Sequence, residues 1–422
     1  MGPTHSEIAA TACLGGALLH SLFLKFFMDR ARAVKNPILA HLFHHLGEVE
    51  IVFGIWALLF LVLEFFTTGV SNALHWFDAL NFTESLFVVV ILFIASTRPV
   101  LEAASRLITL TSRIPITGKS ASTTFYANAL FIAPLLGSLI TEPAAITIAA
   151  LLLSGLFLKT KISEKLLYST LATLFVNISI GGTLTSFAAP PILMVAPAWH
   201  WDTPFLFTHF GWKAILAIFG TTTAAVLINR KELTSISFQA ERPSTPVPVS
   251  TILINLAFLA LMIACLHQPK IMIAGFILFL DYFLLTRKHQ GTPQTRSAIL
   301  VGFFLASLII LTDKQEWWLK PFLYRLEDFA LYGSATLLTA ITDNAALTAL
   351  ATHAPNLTAR AKELIVSGAV VGGGLTLIAN APNPAGYAIL KNHFEEEGLK
   401  AAKLFLYAFL PTLIAGAIFW IH

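Results

Sequence analysis

Ile140-Thr141-Glu142-Pro143-Ala144-Ala145-Ile146-Thr147 and Ile341-Thr342-Asp343-Asn344-Ala345-Ala346-Leu347-Thr348 set out one chemistry twice, about 200 residues apart. Each is a hydroxyl, a carboxylate and then small residues, placed inside a long apolar stretch. Carboxylate, hydroxyl and amide oxygens suit hard cations, and a carboxylate that also takes up a proton makes the two ions compete. At the middle of a bilayer such a group costs about 2.5 to 3.5 kcal/mol, so Glu142 and Asp343 need protein, water or an ion around them. The plainer reading is an interfacial tip or a helix N-cap, since Asp before an apolar run caps well. The repetition argues against it, because halves of opposite orientation do not share one interface.

A glycine-rich, proline-ended run follows each acidic segment. The first is Gly181-Gly182-Thr183-Leu184-Thr185-Ser186-Phe187-Ala188-Ala189-Pro190-Pro191, and the second Gly372-Gly373-Gly374-Leu375-Thr376-Leu377-Ile378-Ala379-Asn380-Ala381-Pro382. The glycines let a helix unwind, and Pro190, Pro191, Pro382 and Pro384 remove donors beyond the break. Unwound carbonyls and half-helix ends can bind ions, and Asn177, Thr183, Thr185 and Ser186 in one run, with Thr376, Asn380 and Asn383 in the other, add side-chain oxygens. A duplicated pair of interrupted apolar segments points to the ion and substrate site of a secondary transporter.

The elements that must position these residues follow from hydropathy. The chain has 422 residues, 56% hydrophobic and 12% charged, with mean hydropathy +0.76. A soluble fold could not cover itself with so little polar surface, so the expected class is an all-α polytopic membrane protein. Net charge is +4, but the basic residues cluster beside apolar runs, as topology determinants do, and no nucleic-acid surface is implied. Cys13 and Cys265 sit in apolar runs with neither metal-type spacing nor a disulfide framework. The first apolar run has no basic residue before it and reads as a retained helix.

Spans are expected near 9–28, 46–66, 83–97, 166–195, 205–228, 251–267, 269–286, 297–312, 363–390 and 404–421. Stretches 124–158 and 329–352 break at their acidic motifs and read as re-entrant hairpins, because the arms of the second are too short to cross. With both termini outside, 20 of the 27 basic residues fall inside, among them Arg30, Lys35, Arg113, Lys119, Lys159, Lys161, Arg230 and Arg242. Six fall outside, and Lys213 lies within a span with Trp212 in the aromatic belt. The halves then have opposite orientations: 1–228 with hairpin 124–158 and broken helix 166–195, and 251–422 with hairpin 329–352 and broken helix 363–390. Each holds five spanning helices, one broken, and one hairpin, an inverted-topology repeat. Residues 229–250, with Glu241, Arg242, Pro243, Pro246 and Pro248, read as an extended inner-side linker.

This order of hairpin and broken helix resembles the ion transporter superfamily. Asp343-Asn344 before small residues resembles the Asp-Asn hairpin of NhaD-type sodium/proton antiporters, and Asn177 with Gly181-Gly182 and Thr185 resembles their broken helix. Glu142-Pro143 departs from the Asp-Asn of the first hairpin, and 372–379 lacks the serine-rich phrasing. The resemblance implies a carrier in a bacterial-type inner membrane, a homodimer needing no cofactor, that exchanges sodium or a similar monovalent cation for protons. Glu142, Asp343, Thr141, Thr342, Asn344, Asn177, Gly181, Gly182, Thr183, Thr185, Gly373, Thr376 and Asn380 are its expected ion-binding residues. Relatives that carry dianions have neutral tips, and acids here would repel such a cargo, so a sodium-coupled anion carrier is the alternative.

His41, His44, His45 and Glu48 recur at helical spacing, which would gather them on one face at the inner end of the second span. With Glu50 they are candidates for pH sensing. A histidine-box metalloenzyme is the remote alternative, since no other histidines form a second box.

Overall fold

The computed structural model describes residues 2–112, 120–158, 162–236, 246–323, 325–394 and 398–421. Arg113, Lys119, Lys159, Lys161, Glu241, Arg242 and Pro243, invoked above for topology and the linker, lie outside the described residues. Among the described residues all regular structure is helical, as hydrocarbon demands of backbone groups that find no water there. Val49–Thr68, Ala121–Ile140, Glu164–Leu184, Thr203–Ile228, Thr295–Thr312 and Ala401–Phe419 are long and apolar enough to cross a membrane. Two bent pairs extend these six to eight: His5–Ser21 with Leu24–Ala33, at 56°, and Val70–Ala79 with Thr83–Ala95, at 54°. The chain is an all-α, multi-pass membrane protein.

Local sequence sets the helix ends that matter for the site. Ala121–Ile140, Glu164–Gly181 and Ala359–Gly372 each begin on a hydroxyl cap: Ser120 accepts from the Thr123 amide at 3.3 Å, Ser163 from Leu166 at 3.1 Å and Thr358 from Ala361 at 3.1 Å. Two of these helices stop at the expected glycines. Glu164–Gly181 gives way to a short 3-10 turn, Gly182–Leu184, and helix resumes at Pro190–Trp199. Ala359–Gly372 gives way to irregular chain, and helix resumes at Asn383–Leu390 with Pro384 in its first turn.

Several boundaries differ from expectation for physical reasons. The first run bends after Ser21 because Lys25, Asp29, Arg30 and Arg32 charge the segment that continues it. The histidines occupy a separate helix, Pro37–Leu46, capped by Asn36 and ended by Gly47, and Glu48 lies beyond it, at the residue before the next helix, Val49–Thr68. The linker is not extended from its start, since Arg230–Ser235 forms a short helix. Arg98–Ser112 is a further helix, too polar to read as a span. Ala121–Ile140, at 20 residues, is itself long enough to cross.

The helix Glu164–Gly181 lies at the centre, buried at every residue from Leu166 onward. Ala121–Ile140 packs on it and on Glu142–Phe157, and Asp328–Thr339 packs on Ala359–Gly372 in the same way. The returning helices cross over: Glu142–Phe157 lies against Asn383–Leu390, and Asn344–Thr352 against Pro190–Trp199. Each acidic segment therefore leads into a helix seated on the far piece of the other half's broken helix.

Candidate functional site

Both acids are enclosed. Glu142 is 0% exposed and Asp343 4%. Thr141 joins the two helices of the first tip with φ 75° and ψ 154°, a region that suits glycine and strains a β-branched residue. The turn leaves Glu142 in the first position of its helix, where Pro143 has no amide for it to cap. Glu142 reaches instead across the halves, and its Oε2 accepts from Asn380 Nδ2 at 2.7 Å. Asp343 behaves otherwise: its Oδ1 caps its own helix by accepting from the Ala345 amide at 2.7 Å. The tips are tied together, because the Asn344 amide donates to the Ala379 carbonyl at 3.1 Å, beside the residue that holds Glu142.

Among the described residues each acid keeps one buried oxygen without a hydrogen-bond donor, Glu142 Oε1 and Asp343 Oδ2. Thr141 Oγ1, Asn344 Oδ1, Asn380 Oδ1 and Asn383 Oδ1 are buried and partnerless too. Buried acceptors are nearly always satisfied, and a cation, a proton or a water satisfies an acceptor where no protein donor exists. A run of such oxygens on two tips and one helix break is chemically suited to a monovalent cation that competes with protons.

The breaks are held by hydroxyls that repeat between the halves. Thr185 Oγ1 donates to the Ser138 carbonyl at 2.7 Å, and Thr376 Oγ1 to the Ala340 carbonyl at 2.8 Å, each in the last turn before its own tip. Gly182 lies directly against the first acid, since a Cβ there would sit 2.7 Å from Glu142 Oε1. A Cβ on Gly374 would overlap the Val176 backbone, so the second break passes against the central helix Glu164–Gly181 with no room for a side chain. Gly181 approaches the Pro134 carbonyl, and Gly373 lies beside Ser179 and Asn344.

Not every expected residue joins this cluster. Asn177 is fully engaged elsewhere: its Nδ2 donates to the Leu130 carbonyl at 2.8 Å and to Thr222 at 3.1 Å, and its Oδ1 accepts from Thr221 at 2.6 Å. It ties three helices together. Thr183 and Thr342 donate to carbonyls of the helices that precede them, Ile180 at 2.7 Å and Leu338 at 3.0 Å. Two unforeseen serines stand in the site. Ser138 Oγ donates to the Gly181 carbonyl at 2.7 Å and accepts from the Leu184 amide at 3.0 Å, which fastens the first break. Ser179 Oγ donates to the Val370 carbonyl at 2.6 Å and accepts from Asn344 Nδ2 at 3.2 Å. Its place between Asn177 and Gly181 was the available signal.

The histidine group lies apart from the tips. Glu48 accepts from Arg296 Nη2 at 2.6 and 2.7 Å and stands 3.1 Å from His44 Nε2 and 3.8 Å from His45 Nδ1, while His41 is exposed. Lys213 is buried, 6.0 Å from the Phe210 ring and 5.8 Å from the Trp212 ring.

Comparison with known protein families matches residues 5–422 to the family described as "Putative Na+/H+ antiporter". The chain belongs to this family. As a member of it, the protein is a membrane transporter. Among solved structures it is similar to the YdaH transporter of Alcanivorax borkumensis, at 14% identity over 96% of each chain with a TM-score of 0.49. No curated protein matches it. Family membership extends over all the elements described above, including both acidic tips and both breaks.

Proposed function

We propose that this transporter exchanges sodium, or a similar monovalent cation, for protons by alternating access. One observation carries the reading: among the described residues two buried carboxylates each keep an oxygen without a donor, and the same two tips and the second break carry four further partnerless oxygens, from Thr141, Asn344, Asn380 and Asn383. Deprotonated, Glu142 and Asp343 bind the cation, and protonated they release it, so each ion drives the other out. The hydroxyl of Thr141 and the amide oxygens complete the shell, with carbonyls of the two breaks.

An inverted-topology repeat supports the mechanism. When Gly181 is aligned with Gly372, Ser179 falls opposite Val370, and these two residues are bonded to each other at 2.6 Å. A residue touches its own counterpart only near a two-fold axis. The crossed seating of the returning helices has the same symmetry. Rocking of tips and breaks together against the remaining helices then exposes the site to each side in turn. The remaining expectations belong to the same proposal: a bacterial-type inner membrane, both termini outside, linker 229–250 inside and a homodimer.

The test is a pH-dye assay in proteoliposomes against lithium, sodium, potassium and calcium. Wild type dequenches with sodium or one other monovalent ion, and Glu142→Gln and Asp343→Asn abolish the signal while remaining inserted and monodisperse. Unchanged sodium-driven proton flux in both variants rejects the reading. Substrate-driven uptake of a dicarboxylate or arsenite that survives both substitutions replaces it with an anion carrier.

A further inference from the structure

We infer that Ser179 is a specificity-determining residue of the exchange site: its hydroxyl fixes which end of the Asn344 amide faces the ion, and so keeps the site a cation site. The inference rests on the exchange reading above and adds the residue that orients one of its oxygens. Three asparagines contribute to the cluster, and each is held by its nitrogen. Asn380 Nδ2 donates to Glu142 Oε2 at 2.7 Å, Asn383 Nδ2 to the carbonyls of Gly373 and Thr376 at 2.8 and 2.9 Å, and Asn344 Nδ2 to Ser179 Oγ at 3.2 Å. Among the described residues the three amide oxygens are left buried and partnerless.

Two of these orientations need no further cause. Backbone carbonyls only accept, and so does an ionised carboxylate, so the amide nitrogen is the end that must meet them. A hydroxyl differs, because it accepts and donates, and an amide of either orientation can pair with it. The proton of Ser179 decides which. It is spent on the Val370 carbonyl at 2.6 Å, which leaves Oγ only lone pairs for Asn344. Turned the other way, Asn344 would set Oδ1 against that oxygen with no proton between them, and would aim two N–H donors at the cluster. Such donors suit an anion and work against a cation.

Packing holds the pair in place. Ser179 and Asn344 are both 0% exposed, so bulk water does not compete for either group. The Asn344 backbone amide is fixed to the Ala379 carbonyl at 3.1 Å. A Cβ on Gly373 would overlap Ser179 Oγ and come within 2.9 Å of Asn344 Nδ2, so the second break closes over the bond. The lock also spans the halves. Ser179 stands on the central helix Glu164–Gly181, Val370 on Ala359–Gly372 and Asn344 at the second tip, so the orientation lasts only while the two broken helices touch at Ser179.

The experiment measures thermal protection and equilibrium binding on the purified full chain, with lithium, sodium and potassium chloride as probes and choline chloride holding ionic strength. The ion that most raises the wild-type melting temperature serves for the variants. Ser179→Ala is expected to raise the dissociation constant for that ion about tenfold, the scale of one ligand turned away, and to lose most of the protection at a fixed ion concentration. A residue that only supported the fold would lower the ion-free melting temperature and leave the protection intact. Ser179→Cys, whose thiol donates and accepts weakly, should bind with intermediate affinity. In an Asn344→Ala background, Ser179→Ala should change affinity by less than about twofold, because no amide is left to orient. Wild-type affinity in Ser179→Ala, or in Ser179→Cys if the alanine variant does not fold, overturns the inference alone, as does an undiminished effect in the Asn344→Ala background. Protection of wild type by none of the three cations overturns the exchange reading beneath it.

Discussion

Asn380→Ala tests the site through a group that is not itself ionisable. The substitution removes the Asn380 donor from Glu142 Oε2, a 2.7 Å hydrogen bond, while Oε1 already has none and the residue is 0% exposed. A hydrogen bond to a charged acceptor contributes about 1.5–3 kcal/mol. The loss falls on the ionised carboxylate, the form a metal ion needs, and about 1.36 kcal/mol is a factor of ten. Half-saturating sodium at fixed pH should therefore rise about 10- to 150-fold, and raising the pH by about one to two units should recover it. The assay is the initial rate of dye dequenching against sodium concentration at several pH values. Asn383→Ala is the comparison: Asn383 Nδ2 donates to the carbonyls of Gly373 and Thr376 at 2.8 and 2.9 Å and not to an acid, so loss of its site oxygen should weaken sodium binding without the recovery at higher pH. A folded Asn380→Ala protein with unchanged half-saturation at every pH refutes the reasoning, since the bond would then have no bearing on the competition.

Three further outcomes are expected. Thr141→Gly relieves a strained turn worth about 1–3 kcal/mol and should raise the melting temperature while weakening sodium binding, whereas Thr141→Ser keeps both hydroxyl and affinity; a glycine variant with neither change removes Thr141 from the site. Lys314→Met leaves Glu64, 1% exposed and 2.6 Å from Lys314 Nζ, as a buried unpaired charge and should cost about 3–5 kcal/mol; adding Glu64→Gln should recover most of it, and equal losses in single and double variants would show the pair is idle. Burial holds the His393 imidazole below its ordinary pKa, so the fold prefers it neutral: its contribution is complete above the ordinary value and is lost as pH falls through that value. Acidification from about pH 7.5 to 5.5 should then lower the melting temperature less in His393→Gln than in wild type, and equal shifts in the two would exclude His393, which lies 2.9 Å from Ser154 Oγ.

How much of this was legible in the sequence depends on the range over which each feature is encoded. The acids, the glycine breaks and the caps are local patterns, and Glu142, Asp343, Gly182 and Gly373 lie at or beside the partnerless oxygens of the site. The partners of Asn177 were not legible, because a buried amide in a glycine-rich segment looks the same whether it faces an ion or two threonines 44 and 45 residues away. The Glu64 ion pair spans 250 residues and has no local signature at all. Thr141 was singled out for its oxygen, but its backbone strain was invisible, because nothing in the side-chain order reveals a β-branched residue in a glycine conformation. The bend after Ser21 was overlooked for the opposite reason: four charges were present in 24–33, but hydropathy averaging ran through them.

The two tips repeat in sequence but divide their work, and one methylene with one proline accounts for the division. Asp is short and has an amide two residues on, so Asp343 spends one oxygen on the start of its own helix and holds that helix whether or not an ion is bound. Glu142 is longer, is followed by a proline that offers no amide, and spends its oxygen on Asn380 in the opposite half. A change in the charge of Asp343 therefore acts first within one tip, through its cap. A change in the charge of Glu142 acts on the contact between the halves, which is the contact that alternating access must remake. On the exchange reading, Glu142 is then the acid whose protonation couples to the motion, and Asp343 the acid that holds the start of its own helix. The double substitution Glu142→Asp with Asp343→Glu should uncouple sodium binding from proton flux, although the number of carboxylates is unchanged. Radioactive sodium binding and dye dequenching measured on the same preparation check this, and a double variant in which both stay at wild-type levels would show that the two acids are interchangeable.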